Sequence, residues 1–111
     1  MPEKLTNDQY AVMIIANAGD SKSSSMEAIA AARQGDFPKA RELLLQSTQS
    51  LSRAHDIHTE LLVDKARRKS ESISMILSHA SNHYSIAEVT RMMAEEIVNI
   101  YSELNHKQVE K

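Results

Sequence analysis

Apolar residues recur along the chain at intervals of three and four, which is the spacing of one face of an α-helix. The pattern predicts three helices, at about 7–33, 37–66 and 71–106, and is weakest in the first. The positions expected to face the core are Tyr10, Ile14, Ala18, Met26 and Ile29 in the first helix, Phe37, Ala40, Leu44, Leu51, Ala54, Ile57, Leu61 and Leu62 in the second, and Ile73, Ile76, Leu77, Ala80, Ala87, Ala94, Ile97, Tyr101 and Leu104 in the third. The methionines Met75, Met92 and Met93 are also expected there. The predicted fold class is all-α.

Residues that break helices fall between these segments, with one exception. The strongest break spans 35–38. There Gly35 suits the left-handed position just past a helix, Asp36 suits an N-cap, and Pro38 suits the first turn of the next helix. The exception is Gly19 inside the first helix, which predicts either a bend or the close approach of a neighbouring backbone.

Length and composition favour one small helical domain. The 111 residues include two glycines and two prolines, too few for the turns of a β-sandwich, and no GxGxxG or GxxxxGK loop occurs. We therefore predict a single domain, 1–111, with its core at about 7–106. Three antiparallel helices of about 45 Å in an up-down-up arrangement bury only a thin core. The serine run 21–25 suits close helix packing, and the thin core predicts a homo-oligomer.

Charge and residue usage exclude several classes of function. The absence of cysteine excludes a disulfide scaffold, a zinc ribbon and a thiol nucleophile. A net charge of −2 argues against nucleic acid as a partner, and the basic run 65–69, before the candidate caps Ser70 and Ser72, has no aromatic residues for base stacking. The apolar stretch 11–16 is too short to span a bilayer and lacks the basic lead-in of a signal peptide. A cytoplasmic protein is expected.

Five histidines carry the most distinctive chemistry: His55, His58, His79, His83 and His106. His79 and His83 are four residues apart and share a helix face, and His55 and His58 are three apart. An antiparallel hairpin that turns near residue 69 places His58 at the height of His79 and His55 at the height of His83. Four imidazoles then lie at one level of the bundle, provided that their faces converge.

Three interpretations of these histidines remain open. They are ordinary surface or partly buried side chains; they bind a metal ion, for which His-x-x-x-His is a common ligand spacing; or one of them is a nucleophile that carries a phosphoryl group, because neutral imidazole is a good nucleophile near pH 7. The sequence has no HExxH motif and no carboxylate spaced to complete a di-iron set. The alternative to a phosphoryl carrier is a helical metal-binding or scaffold protein that uses the level of His55, His58, His79 and His83 non-catalytically.

The segment 78–83, Ser-His-Ala-Ser-Asn-His, resembles the active helix of the lactose/cellobiose/chitobiose-type enzyme IIA of the bacterial sugar phosphotransferase system. Members of that family typically read His-x-Gln-Asp-His there. Further segments match in order and spacing over roughly 9–106: Asn17-Ala18-Gly19-Asp20, Met26-Glu27-Ala28-Ile29, Gln34-Gly35-Asp36-Phe37, Ala54-His55 and Thr59-Glu60-Leu61-Leu62. The chain is thus similar to the family over nearly its whole length.

The resemblance implies a three-helix subunit of a homotrimeric helical bundle with a relay function. A phosphorylated histidine-containing phosphocarrier protein would donate a phosphoryl group to His79, the first histidine of the motif. His79 would pass the group to a cysteine of the cognate enzyme IIB, which phosphorylates a β-linked disaccharide of the cellobiose, chitobiose or lactose type as the membrane enzyme IIC imports it. His83 is implied as the neighbour that supports the active imidazole.

Two departures from the family pattern bear on this site. Ser81-Asn82 stands where the family has Gln-Asp, and the family's aspartates lie near the trimer axis and can bind a divalent metal. Asn82 removes those charges, so we expect that no metal cofactor is required. His58 stands where the family has glutamine, and it either adds a hydrogen-bond donor at the height of His79 or has no role.

Overall fold

The computed structural model describes residues 5–68 and 75–110, with side chains for 5–64 and 75–108. These residues form three helices: α1 (Asn7–Arg33), α2 (Phe37–Arg68) and α3 (Met75–Glu110). The described part of the chain contains no strand, and the all-α prediction is confirmed. α1 has its predicted bounds, whereas α2 ends at 68 rather than 66 and α3 at 110 rather than 106. The candidate caps Ser70 and Ser72, the core position Ile73 and the side chains of 65–69 lie outside the described residues.

The start of α1 is set by a reciprocal cap between Thr6 and Gln9. The Thr6 hydroxyl accepts a hydrogen bond from the Gln9 backbone N–H at 3.1 Å, and the Gln9 side-chain oxygen accepts one from the Thr6 N–H at 2.8 Å. Two backbone donors that the first turn cannot satisfy internally are thereby paired. The helix therefore begins at Asn7 and not within the polar residues before it.

The connection from α1 to α2 follows the predicted chemistry of 35–38. Gly35 has a φ of +86°, the left-handed conformation that favours glycine. Its N–H donates to the carbonyl of Ala32, and the Asp36 N–H donates to the carbonyl of Ala31, both at 2.9 Å. This pair of bonds closes α1. The Asp36 carboxylate then accepts the Lys39 N–H at 3.2 Å and caps α2, which returns antiparallel to α1.

The helices form a flat layer with a thin core, as predicted. The molecule extends 64 × 26 × 17 Å along its principal axes. α1 packs against both other helices, and α2 and α3 contact each other less extensively. Most of the buried apolar side chains are alanines, and Ile14 and Val98 are the largest apolar side chains that are fully buried. Small side chains bring the helix axes close together, but they bury little apolar area.

Three buried serines join α1 to α2. Ser21, Ser25 and Ser47 are fully buried, and the Ser47 hydroxyl lies 2.9 Å from that of Ser21 and 2.6 Å from that of Ser25. Ser47 also donates to the backbone carbonyl of Ser21 at 2.9 Å. Because Ser47 has a single proton, the other two hydroxyls donate to it, and each of the three is paired. The serine run 21–25 therefore does pack closely, as its composition indicates.

One face of α3 is apolar and exposed. Its members, which we name the outer stripe, recur at intervals of three, four and seven residues: Met75, Asn82, Ile86, Val89, Met93, Ile100 and Leu104. With 3.6 residues per turn, these positions lie within roughly 35° of one line along the helix. The apolar members are 50% to 90% exposed. Since α1 and α2 pack on the opposite side, nothing within the described subunit covers the stripe.

Several residues predicted to lie in the core are on the surface instead. These are Met26, Leu62, Met75, Met92, Met93 and Leu104, each more than half exposed, and Ile76 at 36%. Periodicity marks an apolar face, but a flat layer of three helices can cover only part of the apolar surface that its helices carry. Leu43 and Val98, which were not among the predicted core positions, are buried in their place.

Gly19 is expected to be a site where alanine stabilises the subunit. α1 continues through Gly19, and a Cβ added there meets no atom within 4 Å, so the predicted close approach of a backbone is wrong within the subunit. Gly19→Ala should raise the free energy of unfolding in urea by about 0.5–1 kcal/mol, because alanine restricts the unfolded chain more than glycine does. Gly35→Ala is the control and should lower it, since φ is +86° there. If Gly19→Ala instead lowered the free energy of unfolding, that result would contradict the observation that an added Cβ meets no neighbouring atom.

Candidate functional site

His79 and His83 form a contact pair on α3. Their Nε2 atoms are 3.0 Å apart, and their rings are perpendicular with centroids 4.5 Å apart. As neutral imidazoles, one Nε2 must carry the proton and the other the lone pair. When His83 donates, His79 is held as the tautomer that has its proton on Nδ1 and a lone pair on Nε2. In that arrangement the Nε2 lone pair of His79 accepts the hydrogen bond, so His83 must release it before this nitrogen can attack phosphorus.

The two rings differ in their surroundings. His79 is exposed, whereas His83 is partly buried and lines an open groove of about 520 Å³ between α1 and α3. The groove is lined by Gly19, Lys22, Ser23, Met26, Glu27 and His83. Gly19 contributes no side chain, which leaves room in front of the His83 ring. An anion held on His79 is thus accessible to a partner protein.

Lys22 is a candidate site residue that the sequence does not reveal. It is the one cation among the residues that line the groove beside His83. A single lysine inside a serine run belongs to no motif, and its relation to His83 depends on how α1 lies against α3. In retrospect, the absence of a side chain at Gly19, one helical turn before Lys22, is the only local signal that this part of α1 stays open.

A second cluster joins α2 to α3 through His58. Its Nε2 lies 3.2 Å from the Ser81 hydroxyl, and its ring stacks on Tyr84 with centroids 5.4 Å apart and planes 5° apart. The His55 ring lies 6.1 Å from the same tyrosine. Burial, followed by the carboxylate of Glu88, raises the pKa of the Tyr84 phenol, which therefore stays protonated at neutral pH and donates a long 3.5 Å hydrogen bond to Glu88.

The four histidines at the predicted level do not converge on a common site. Within the residues that the structure describes, no three histidine, aspartate or glutamate side chains come close enough to hold a metal ion. The physical reason is rotation about α3: Ser81, the partner of His58, is two residues from His79, which is roughly 200° around the helix. His79 therefore contacts His83, whereas His55 and His58 both lie against Tyr84, so the condition that the four faces converge is not met among the described residues.

Comparison with known proteins places this geometry in a family. The family model described as "PTS system, Lactose/Cellobiose specific IIA subunit" matches residues 9–102. The chain belongs to this family. This IIA subunit is 35% identical over 100 residues to the lichenan-specific phosphotransferase enzyme IIA component of Bacillus subtilis strain 168, covering 90% of the chain and 91% of the relative. It is 31% identical over 100 residues to the chitobiose-specific EIIA component of Escherichia coli K12, covering 90% and 83%.

Solved structures agree with the three-helix architecture of this IIA subunit. The crystal structure of the cellobiose-specific enzyme IIA from Bacillus anthracis superposes with a TM-score of 0.87 at 31% identity, covering 95% of this chain and 96% of the other. The chitobiose IIA in the solution structure of its complex with HPr, from the Escherichia coli system, gives a TM-score of 0.82 at 26% identity, covering 92% and 99%. The predicted family and the prediction of a phosphotransferase component are confirmed. No described helix of this IIA subunit is long and apolar enough to cross a membrane.

The two departures from the family pattern contact each other in this IIA subunit. His58 and Ser81 are hydrogen-bonded across α2 and α3 at 3.2 Å. We expect Ser81→Ala to lower the free energy of unfolding by about 0.5–1.5 kcal/mol, because it removes this bond from a partly buried imidazole. The same change at exposed Ser85 should have almost no effect.

A double-mutant cycle isolates the contact. With His58→Ala added, Ser81→Ala should cost much less than it does alone, and the difference in urea unfolding is the coupling energy. A coupling energy of zero would show that the two substitutions are independent. His58 would then have no role beyond stacking on Tyr84.

Proposed function

We propose that this subunit is a phosphocarrier in which His79 accepts a phosphoryl group from the histidine-containing phosphocarrier protein and passes it to a cysteine of the cognate enzyme IIB. The downstream membrane enzyme IIC would import a β-linked disaccharide of the cellobiose, chitobiose or lactose type. The observation that carries the proposal is the 3.0 Å contact that orients the exposed His79 ring, in a chain of the IIA family. The solved chitobiose IIA–HPr complex of a structural relative supports the donor.

Transfer to His79 is a displacement at phosphorus. The hydrogen bond from His83 breaks and frees the Nε2 lone pair of His79. This lone pair attacks, the new N–P bond forms as the donor's N–P bond breaks, and the electron pair of the broken bond returns to the donor imidazole. In the second step a thiolate of enzyme IIB attacks the same phosphorus, and the pair returns to His79. Neither step needs an additional catalytic group beyond in-line positioning.

Side chains must stabilise the phosphoryl charge. His79 is the fifth residue of the described α3, and helical geometry assigns its backbone N–H to the carbonyl of Met75 rather than to a phosphoryl oxygen. Once it is released from His79 Nε2, the His83 Nε2–H can donate to an oxygen of the phosphoryl group. Lys22, across the groove, is the cation placed to offset the charge. His83 therefore acts as the supporting neighbour in this proposal.

We also propose that three subunits assemble into a homotrimer through the outer stripe of α3. Apolar side chains more than half exposed over about 45 Å of helix are typical of an interaction surface. The resemblance to the family implies three copies. The alternative of a metal-binding protein is not favoured, because no three histidine, aspartate or glutamate side chains among the described residues come close enough to hold a metal ion.

The test is phosphorylation of the purified protein. It is incubated with phosphoenolpyruvate and the general phosphotransferase proteins, enzyme I and the histidine-containing phosphocarrier protein, and the intact mass is then measured. We expect a gain of one phosphoryl group per subunit that acid removes and that omission of phosphoenolpyruvate prevents. The lichenan-specific relative serves as positive control in the same mixture. Phosphorylation of the relative without any of this subunit would overturn the proposal.

A further inference from the structure

Asn82 is the second position of the outer stripe and its one polar member. Met75 lies seven residues before it, and Ile86 and Val89 lie four and seven residues after it, on the same line of the helix. Asn82 is thus a polar position between apolar ones on a surface that no part of the described subunit covers. In helix–helix interfaces, a single asparagine among apolar positions sets register and oligomeric state.

Charge distribution indicates that copies of this same helix cover the stripe. Three of the charged side chains of α3 between 75 and 102 lie more than roughly 100° around the helix from the stripe: Glu88, Arg91 and Glu95. Arg91 pairs with Glu95 at 3.2 Å, and Glu88 accepts from Tyr84. Glu96 alone lies beside the stripe, at its edge. The face therefore has no charges that would select a partner of opposite sign. Its regular apolar spacing, repeated in each copy, complements itself about a rotation axis.

The residues at Asn82 do not suit a divalent cation. Magnesium and calcium bind chiefly through carboxylates, and an asparagine supplies one neutral carbonyl oxygen. No described aspartate or glutamate lies on α3 within one helical turn of Asn82, and no cluster of three ligands occurs among the described residues. A metal ion at this position, as the resemblance implies for aspartate-bearing family members, has no charged ligand here.

We propose that in this chain a ring of three Asn82 carboxamides on the trimer axis takes the place of a metal site, so that assembly does not depend on divalent cations. Each carboxamide has an acceptor oxygen and an NH₂ donor, and three of them close a ring in which each donates to the next. The ring pairs polar groups that assembly would otherwise bury without partners. This inference rests on the proposed trimer.

Sedimentation equilibrium of the full chain tests the ring. We expect the wild type to have the mass of three 12.4 kDa subunits. The protein concentration at which half of the trimer dissociates, its dissociation midpoint, should be the same in EDTA and in magnesium or calcium. Asn82→Asp places three carboxylates together and should raise the midpoint about tenfold or more in EDTA, with recovery when a divalent cation is added. Asn82→Leu should assemble equally in both solutions.

Asn99→Asp is the matched control, since Asn99 is exposed on α3 but lies outside the outer stripe. It should change neither the midpoint nor its response to cations. A wild type that dissociates in EDTA, an Asn82→Asp protein as stable in EDTA as the wild type, or a wild type monomeric in both solutions would each overturn the ring. Phosphorylation is measured on the same samples. A protein that accepts a phosphoryl group without forming such a trimer would refute the asparagine ring but not the proposed phosphocarrier function.

Discussion

Replacing His79 by glutamine is expected to abolish phosphoryl acceptance without unfolding the subunit. Glutamine has a similar reach but no nitrogen lone pair able to attack phosphorus, so the intact mass after incubation with phosphoenolpyruvate and the general phosphotransferase proteins should not change. The side chain is exposed, and the free energy of unfolding should stay within about 0.5 kcal/mol of the wild type. Intact-mass measurement together with urea unfolding separates loss of the nucleophile from loss of the fold.

Two other histidines serve as comparisons. His83→Gln keeps the nucleophile but removes the imidazole 3.0 Å from it, and we expect acceptance to continue roughly tenfold to a hundredfold more slowly. His106→Gln, near the far end of α3, should be phosphorylated at the wild-type rate. Equal phosphorylation of His79→Gln and the wild type would place the phosphoryl group on another residue and refute the proposed role of His79.

Ile14→Ala is expected to be the most destabilising single truncation in the subunit. Ile14 is fully buried in a cluster that takes Tyr10 from α1, Leu61 from α2, and Leu77 from α3. Removing its outer carbons leaves a cavity in this cluster, so the free energy of unfolding should fall by about 2–5 kcal/mol. In a small domain with about 5–15 kcal/mol of stability, that is a large share.

The control for this truncation is Val12→Ala on the same helix. Val12 is 58% exposed, and its change should stay within about 0.5 kcal/mol. The cluster also contains Ala80, the residue after His79, so we expect Ile14→Ala to slow phosphorylation near the unfolding midpoint. A loss at Ile14 no greater than at Val12, in urea unfolding followed by circular dichroism, would contradict the assignment of the core.

The local chemistry of helix ends could be predicted well because it depends on a few neighbouring residues. The conformation of Gly35 and the cap formed by Asp36 depend only on residues 35–38. The contact between His79 and His83 likewise depends only on their spacing of four residues within one helix. The chemistry proposed for that pair came from the resemblance to other chains, because the residues alone left three interpretations open.

The arrangement of side chains around each helix could not be predicted in this way. α3 has two apolar faces, one with Ala80, Ala87 and Ala94 and one with Ile86 and Met93, and the pattern does not say which faces its own subunit. Because the helices pack closely, the small alanine side chains face the subunit interior and the larger Ile86 and Met93 face outward. The sequence also does not reveal how α3 is rotated about its axis relative to α2. Matching heights therefore suggested that His58 and His79 are neighbours, although His58 contacts Ser81.

The buried serines have a consequence for the vertical alignment of the helices. Between Ala18 and Ala32 the buried residues of α1 are alanines and serines, so in this part of the helix apolar contacts alone would resist a slide against α2 only weakly. The same slide would carry Ser21 and Ser25 away from Ser47 and leave buried hydroxyls without partners, at about 1–3 kcal/mol each. The three hydroxyls thus help to select one alignment of α1 against α2, and with it the height of Lys22, the residue after Ser21, which lines the same groove as His83.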